Sequence, residues 1–234
     1  MQKKYFELKS MINPRDIKDI ITISKNIGAY QKSVQYSVYC YMSHLYKKNR
    51  KYENVYLVTS SVLLGCKISN FIPKMDILLE NIFIHFKLNL EENEIEEFRD
   101  EVVKLELQMS VSLDFKFDIE DQYSRLKEFG EKYKLEKDCA NNDGGSMNEE
   151  TNIKIVQSTW IFLNDSLFYP FRLFFDLENI LKACTYLSHI INNKAIEVDQ
   201  FLSKKAGKEV LFIAGEILEG YEKRTKIREN TRII

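Results

Sequence analysis

Apolar residues recur at helical spacing along nearly the whole chain. The stretch VYLVTSSVLLGCKISN, residues 55 to 70, is the densest case. It is apolar almost all round, carries small residues (Ser60, Ser61, Gly65, Cys66) through its middle, and ends in a lone cation, Lys67. A helix apolar on every side is one surrounded by others, and small side chains let neighbours cross it closely. This segment is therefore expected to be the central helix of a small all-α domain.

The flanking segments supply the surrounding helices. Asn13-Pro14 opens one through IKDIITISKN to about Gly28, with Asn as cap and Pro at the first helical position. A second covers about 31 to 48, with Val34, Val38, Tyr41 and Leu45 on one face. The central helix is third. A fourth starts at Pro73 and runs through MDILLENIFIHF. A fifth, about 94 to 113, opens on Glu94, Glu96 and Glu97, acids suited to the positive end of a helix dipole.

The second half repeats the plan. Helices are expected at 121 to 133, 149 to 168, 178 to 191, 196 to 204 and 207 to 226. Offset by 123 residues, Leu57 falls on Ile180, Val58 on Leu181, Ser60 on Ala183, Leu64 on Leu187 and Gly65 on Ser188, apolar on apolar and small on small. The pattern predicts an all-α protein of two five-helix domains. A short extension covers 1–13, the first domain 14–117 and the second 118–234, with a mobile loop at about 137–150 and a basic tail from about 223.

Composition agrees. The 234 residues are 44% apolar, with only 8 Gly and 3 Pro, too few turn formers for an all-β protein. A net charge of −1 argues against a protein that coats nucleic acid. No apolar run reaches the length of a membrane span, and MQKKYFELKS lacks the core of a signal peptide. Cys40, Cys66, Cys139 and Cys184 are widely spaced and read as reduced thiols of an intracellular protein. His44, His85 and His189 have no ligand spacing, so neither a metal site nor a cofactor is expected. No phosphate loop, HExxH or G-x-S-x-G occurs, and the chain does not read as an enzyme. Trp160 reads as core, and KKNRK (47 to 51) as the basic end of a helix with a solvated loop.

In order and spacing these segments resemble a cyclin with two tandem cyclin boxes. YMSHLY (41 to 46) resembles the second helix of the first box, and LLGCK (63 to 67) the family's Leu-Ala-x-Lys signature. EVVKLELQMSVSLDFKFDIEDQY (101 to 123) resembles the fifth helix and the passage into the second box. VQSTWIFLNDSLF (156 to 168) resembles the opening of the second box in transcription cyclins of the K, L and T branch. The likeness covers roughly residues 14 to 226. It departs at His44, where the family has Arg, and at Ile68-Ser69-Asn70, where Val-Glu-Glu is usual. The Pro-rich or Arg-Ser-rich tails of many transcription cyclins are absent from this sequence, which the resemblance makes a minimal version.

The resemblance implies a non-catalytic nuclear subunit that binds and activates a transcription-type cyclin-dependent kinase acting on the RNA polymerase II C-terminal tail. The chain would be a monomer alone and a heterodimer with its kinase, contacting neither nucleic acid nor membrane. Lys67 and Glu106 would lie side by side and bond the kinase segment leading into its mobile helix. Leu64, Ile68, Leu107, Phe115 and Phe117 would form an apolar surface around them, with Ser110 where a larger apolar residue is common. Alternatives are a cell-cycle cyclin, against which stands the lack of any Arg-x-x-Leu, and a factor resembling transcription factor IIB, against which stand the lack of a zinc ribbon and of a basic second repeat. An all-α scaffold without kinase binding is a further alternative.

Overall fold

The computed structural model describes residues 2–47, 52–132, 147–192 and 206–231; within these, no side chain is described at 131–132, 147–152, 206 or 224–231. The described residues are α-helical with two short 3₁₀ turns and no strand. They fall into two compact units, Met1–Asp121 and Gln122–Ile234.

The first unit contains α1 (Gln2–Met11), α2 (Pro14–Asn26), α3 (Gln31–Lys47), α4 (Asn54–Ile68), α5 (Met75–Phe86) and α6 (Glu92–Ser112). Helix α4 is the central one. Every residue from Leu57 to Cys66 is buried, and α2, α3, α5 and α6 pack around it. Gly65 shows why small residues are required: a Cβ there would lie 2.3 Å from the backbone N of Ser37. Helices α3 and α4 thus touch backbone to backbone. The hydroxyls of α4 turn inward to backbone acceptors. Ser60 Oγ donates to the Val102 carbonyl of α6 at 2.9 Å, and Ser61 Oγ to Leu57 O at 2.6 Å.

Helix α3 is nearly as enclosed as α4. Beyond its expected apolar face it buries Ser33, Gln35, Ser37, Ser43 and His44. Residues 1–13, expected as an extension, are mostly helix. Tyr5 and Leu8 of α1 are at most 1% exposed, and α1 packs on α3. Helix α2 begins as its sequence dictates, with the Asn13 side chain accepting from Arg15 N and Pro14 in the first turn. Helix α5 begins at Met75, two residues beyond Pro73. Helix α6 begins with a capping box in which Glu91 and Glu94 satisfy each other's backbone N–H groups.

The second unit contains α7 (Gln122–Lys132), α8 (Met147–Asp165), α9 (Leu177–Ile191) and α10 (Ala206–Thr231). Helix α9 packs against α7, α8 and α10 and buries Ile180, Leu181, Ala183, Cys184, Leu187 and Ser188, the positions that align with α4. Helix α8 starts at Met147, so the end of the expected 137–150 loop is helical, while 133–146 lies outside the described residues. The expected helix at 196 to 204, Cys139, residues 48–51 of KKNRK and the side chains of the tail from Arg224 also lie outside them. Ser166–Phe168 leaves the α8 helix as a 3₁₀ turn. Trp160, expected in the core, is only half-buried; with Tyr123, whose ring centroid is 4.7 Å away, it lines a cavity of about 150 Å³ between α7 and α8.

Candidate kinase-docking surface

Helices α4 and α6 run against each other, pinned by the Ser60–Val102 hydrogen bond. Two turns further along α4 and one along α6, Lys67 and Glu106 meet: Lys67 Nζ donates to Glu106 Oε2 at 2.7 Å. The pair is lopsided. The Glu106 side chain is 11% exposed and that of Lys67 44%. The carboxylate is therefore mostly enclosed, and the ammonium covers it at the solvent edge. The negative charge of Glu106 also reaches inward: burial first, and this charge second, push the Cys40 thiol far above the usual thiol range.

Beside the pair lies a row of exposed apolar side chains. Leu107 is 59% exposed; Val103 and Val111, one turn to either side of it, are 44% and 52% exposed. The row continues into Phe115 (57%) and Phe117 (36%), whose rings meet edge to face at 6.2 Å. Exposed apolar side chains in a contiguous row, next to a charge pair, are the usual marks of a protein interface.

The backbone that presents the phenylalanines is held in an unusual shape. Asp114 and Phe115 are both left-handed, at φ 52° and 53°. Such φ values are costly for non-glycine residues and mark places that the surroundings over-determine. Here Phe115 N donates to Ser110 O at 3.0 Å, and Asp114 is anchored by Lys47 Nζ at 3.0 Å. The segment after Phe117 is tied to α3: the Tyr36 hydroxyl donates to Ile119 O at 2.6 Å and Gln35 Nε2 to Glu120 O at 2.8 Å.

The structure brings together Lys67, Glu106, Leu107, Phe115 and Phe117, with Ile68 half-buried beside Lys67. Two expected surface residues lie beneath it instead. Leu64 is 3% exposed because α4 is packed on every side, and Ser110 is 6% exposed with its hydroxyl turned to Glu106 O at 3.1 Å. Sequence reasoning missed Val103 and Val111; their spacing of four from Leu107 is the signal that would have found them. It also missed Lys47, Asp114, Tyr36 and Gln35, whose roles exist only through long-range contacts. Among the described residues no group of His, Cys, Asp and Glu could hold a metal ion, and no helix is long and apolar enough to cross a membrane.

The chain superposes on a chain of the yeast RNA Pol II CTD kinase CTDK-1 complex with a TM-score of 0.73 at 15% identity, covering 94% of this chain and 72% of that one. It also superposes on a chain of the CAK complex from Chaetomium thermophilum bound to ATP-gamma-S, with a TM-score of 0.66 at 12% identity, covering 95% of this chain and 64% of that one. The chain has the cyclin fold. The chain spans less than two thirds of the length of the Chaetomium chain, and at these identities the likeness concerns fold alone. No protein-family model matches the sequence. Among curated proteins, a 71-residue stretch is 35% identical to apolipophorins of Locusta migratoria, covering 30% of this chain and 2% of that protein, too little to define a fold.

Proposed function

We propose that this protein is the regulatory subunit of a cyclin-dependent kinase, of the transcription type, and that the kinase phosphorylates the C-terminal tail of RNA polymerase II in the nucleus. The observation that carries this reading is the Lys67–Glu106 pair at the edge of the exposed row Val103, Leu107, Val111, Phe115 and Phe117. The likeness to a chain of an RNA polymerase II CTD kinase complex supports it. The sequence resemblance points to the same class of partner.

The mechanism is one of selective binding. A kinase is active when its mobile helix sits inward and the Glu of that helix pairs with the β3 Lys. A subunit that binds this arrangement better than the inactive one shifts the population toward it, by no more than its differential affinity. Lys67 retains free donor capacity for backbone carbonyls of the kinase. Glu106, held by Lys67, offers its remaining lone pairs to backbone amides. The apolar row supplies area, and the clamped Asp114–Phe115 turn keeps the Phe115 ring from having to order on binding.

The test is purification of the chain from its own cells with mass spectrometry of what accompanies it. Recovery of a transcription-type kinase with wild type, and its loss with Glu106→Ala, is the expected result. Recovery of promoter factors and no kinase would replace this reading with a factor of the transcription factor IIB kind.

A further inference from the structure

A second surface feature of the first unit is a groove of about 320 Å³ between the start of α4, the α5–α6 connection and the first half of α6. Its floor is apolar and aromatic. Tyr56 stacks on Phe98 with ring centroids 4.7 Å apart, and Leu88 and Leu90 complete the base. Its rim is acidic, with Glu53 just before α4 and Glu94, Glu97 and Glu101 from α6.

Local helix physics does not account for Glu53, Glu97 and Glu101. The macrodipole favours carboxylates in the first turn of α6, where Glu92 and Glu94 stand, and fades beyond it. Glu97 and Glu101 come one and two turns later. Glu53 occupies the cap position of α4, yet its side chain makes no capping hydrogen bond. Glu101 pairs with Lys104, which is exposed, but Lys104 does not line the groove. The three carboxylates act together on Tyr56: burial, then Glu53, Glu101 and Glu97, all push its phenol upward. Like charges around one apolar floor disfavour each other unless a cation joins them.

We propose that this groove docks a basic segment of a partner protein, one arginine lying across the Tyr56 ring with its guanidinium held by Glu53, Glu97 and Glu101. Arginine matches each part. Its aliphatic stem covers apolar floor, its flat guanidinium stacks on an aromatic face, and its five donors suit several carboxylates. The site is separate from the kinase-docking row. At roughly 100° per residue, Glu97 and Glu101 point on average about 100° away from Val103, Leu107 and Val111 around α6, and none of those three lines the groove.

The test uses the full chain and a fluorescent peptide, Gly-Leu-Arg-Leu-Arg-Gly, titrated by anisotropy, with a citrulline-for-arginine peptide beside it. The expected result is saturable binding of the arginine peptide alone, weakened roughly tenfold or more by Glu53→Gln with Glu97→Gln. Glu92→Gln with Glu96→Gln, which removes the same charge from outside the groove, should change affinity less than about twofold. Tyr56→Leu reads the stacking contribution separately from charge. Equal weakening by both double variants would overturn the proposal in favour of diffuse attraction, and so would binding of the citrulline peptide or no saturable binding. Kinase recovery by the groove variants stays at the wild-type level in every case, so failure here is distinguishable from failure of the proposed function.

Discussion

Lys67 and Glu106 are 39 positions apart in sequence and meet at 2.7 Å, one exposed and the other almost enclosed. Their unequal burial makes the two truncations unequal. Lys67→Ala leaves a nearly enclosed carboxylate without its cation, which lowers stability by about 1–3 kcal/mol. Glu106→Ala leaves an ammonium that already reaches water, and stability changes little. Both should weaken kinase binding by about 2–5 kcal/mol, because each strands its partner at the interface. Urea unfolding read alongside kinase affinity checks this; equal stability loss, or unchanged affinity in both, would contradict it.

The exposed row should matter to binding and not to folding. Leu107→Ala with Phe115→Ala removes two side chains that are each more than half exposed. Unfolding midpoints should stay within about 0.5 kcal/mol of wild type, while kinase affinity falls by about 2 kcal/mol or more if these are anchors. An unchanged affinity would remove them from the docking surface.

Gly65→Ala should be among the most damaging small substitutions in the chain. The added Cβ would meet Ser37 backbone at 2.3 Å, and backbone cannot rotate aside. Separating α3 from α4 costs about 1–3 kcal/mol or more, and it displaces Lys67 two residues on. Gly28→Ala, at φ 75° in open space, should cost only the left-handed penalty of about 1–2 kcal/mol. Thermal unfolding of the two variants gives the comparison.

Asp16 is fully buried and joins three elements of the first unit. It accepts from the Tyr41 hydroxyl of α3 at 2.7 Å, from Asn54 of α4 at 2.9 Å and from Asn13 at 2.8 Å. Tyr41→Phe should cost about 1–2 kcal/mol, and Asp16→Ala more, since it leaves several buried donors unmet. Denaturant unfolding of both, with Asn54→Ala, ranks the three bonds.

The buried thiols predict an alkaline limit. Burial pushes the Cys66 thiol from an ordinary 9.0 up to about 12, and Cys40 and Cys184 move the same way. The folded state therefore keeps its proton where the unfolded state loses it. This contribution is complete below about pH 9 and is lost as pH rises from there toward 12. Stability should fall between pH 9 and 10.5, less steeply in Cys66→Ala. In a Cys139→Ser background, a thiol reagent at pH 8 should label the native protein slowly and the unfolded protein at once.

The sequence by itself determined α2 to α10 and the central position of α4; α1 lies where only an extension was expected, and the helix expected at 196 to 204 lies outside the described residues. A run apolar on all sides with small residues inside has few other ways to be buried, and periodicity is a local property that each segment carries alone. Asn13-Pro14 and the acids opening α6 are equally local, and the structure starts helices there. Lys67 was conspicuous as a lone cation ending an apolar helix. Glu106 was not: among the many acids of α6, nothing in its own neighbourhood marks it, and family resemblance rather than pattern pointed to it. What only the tertiary structure decided are the matters set by which residue faces which. The crossing of α4 over α6, fixed by Ser60 and Val102, buries Glu106 under Lys67. The same packing submerges Leu64 and Ser110 while leaving Val103 and Val111 exposed. Likewise, the left-handed turn at Asp114–Phe115 is joined to the end of α3 by Lys47, 67 positions away. A single segment cannot encode such contacts, because their free energy exists only once the helices have docked.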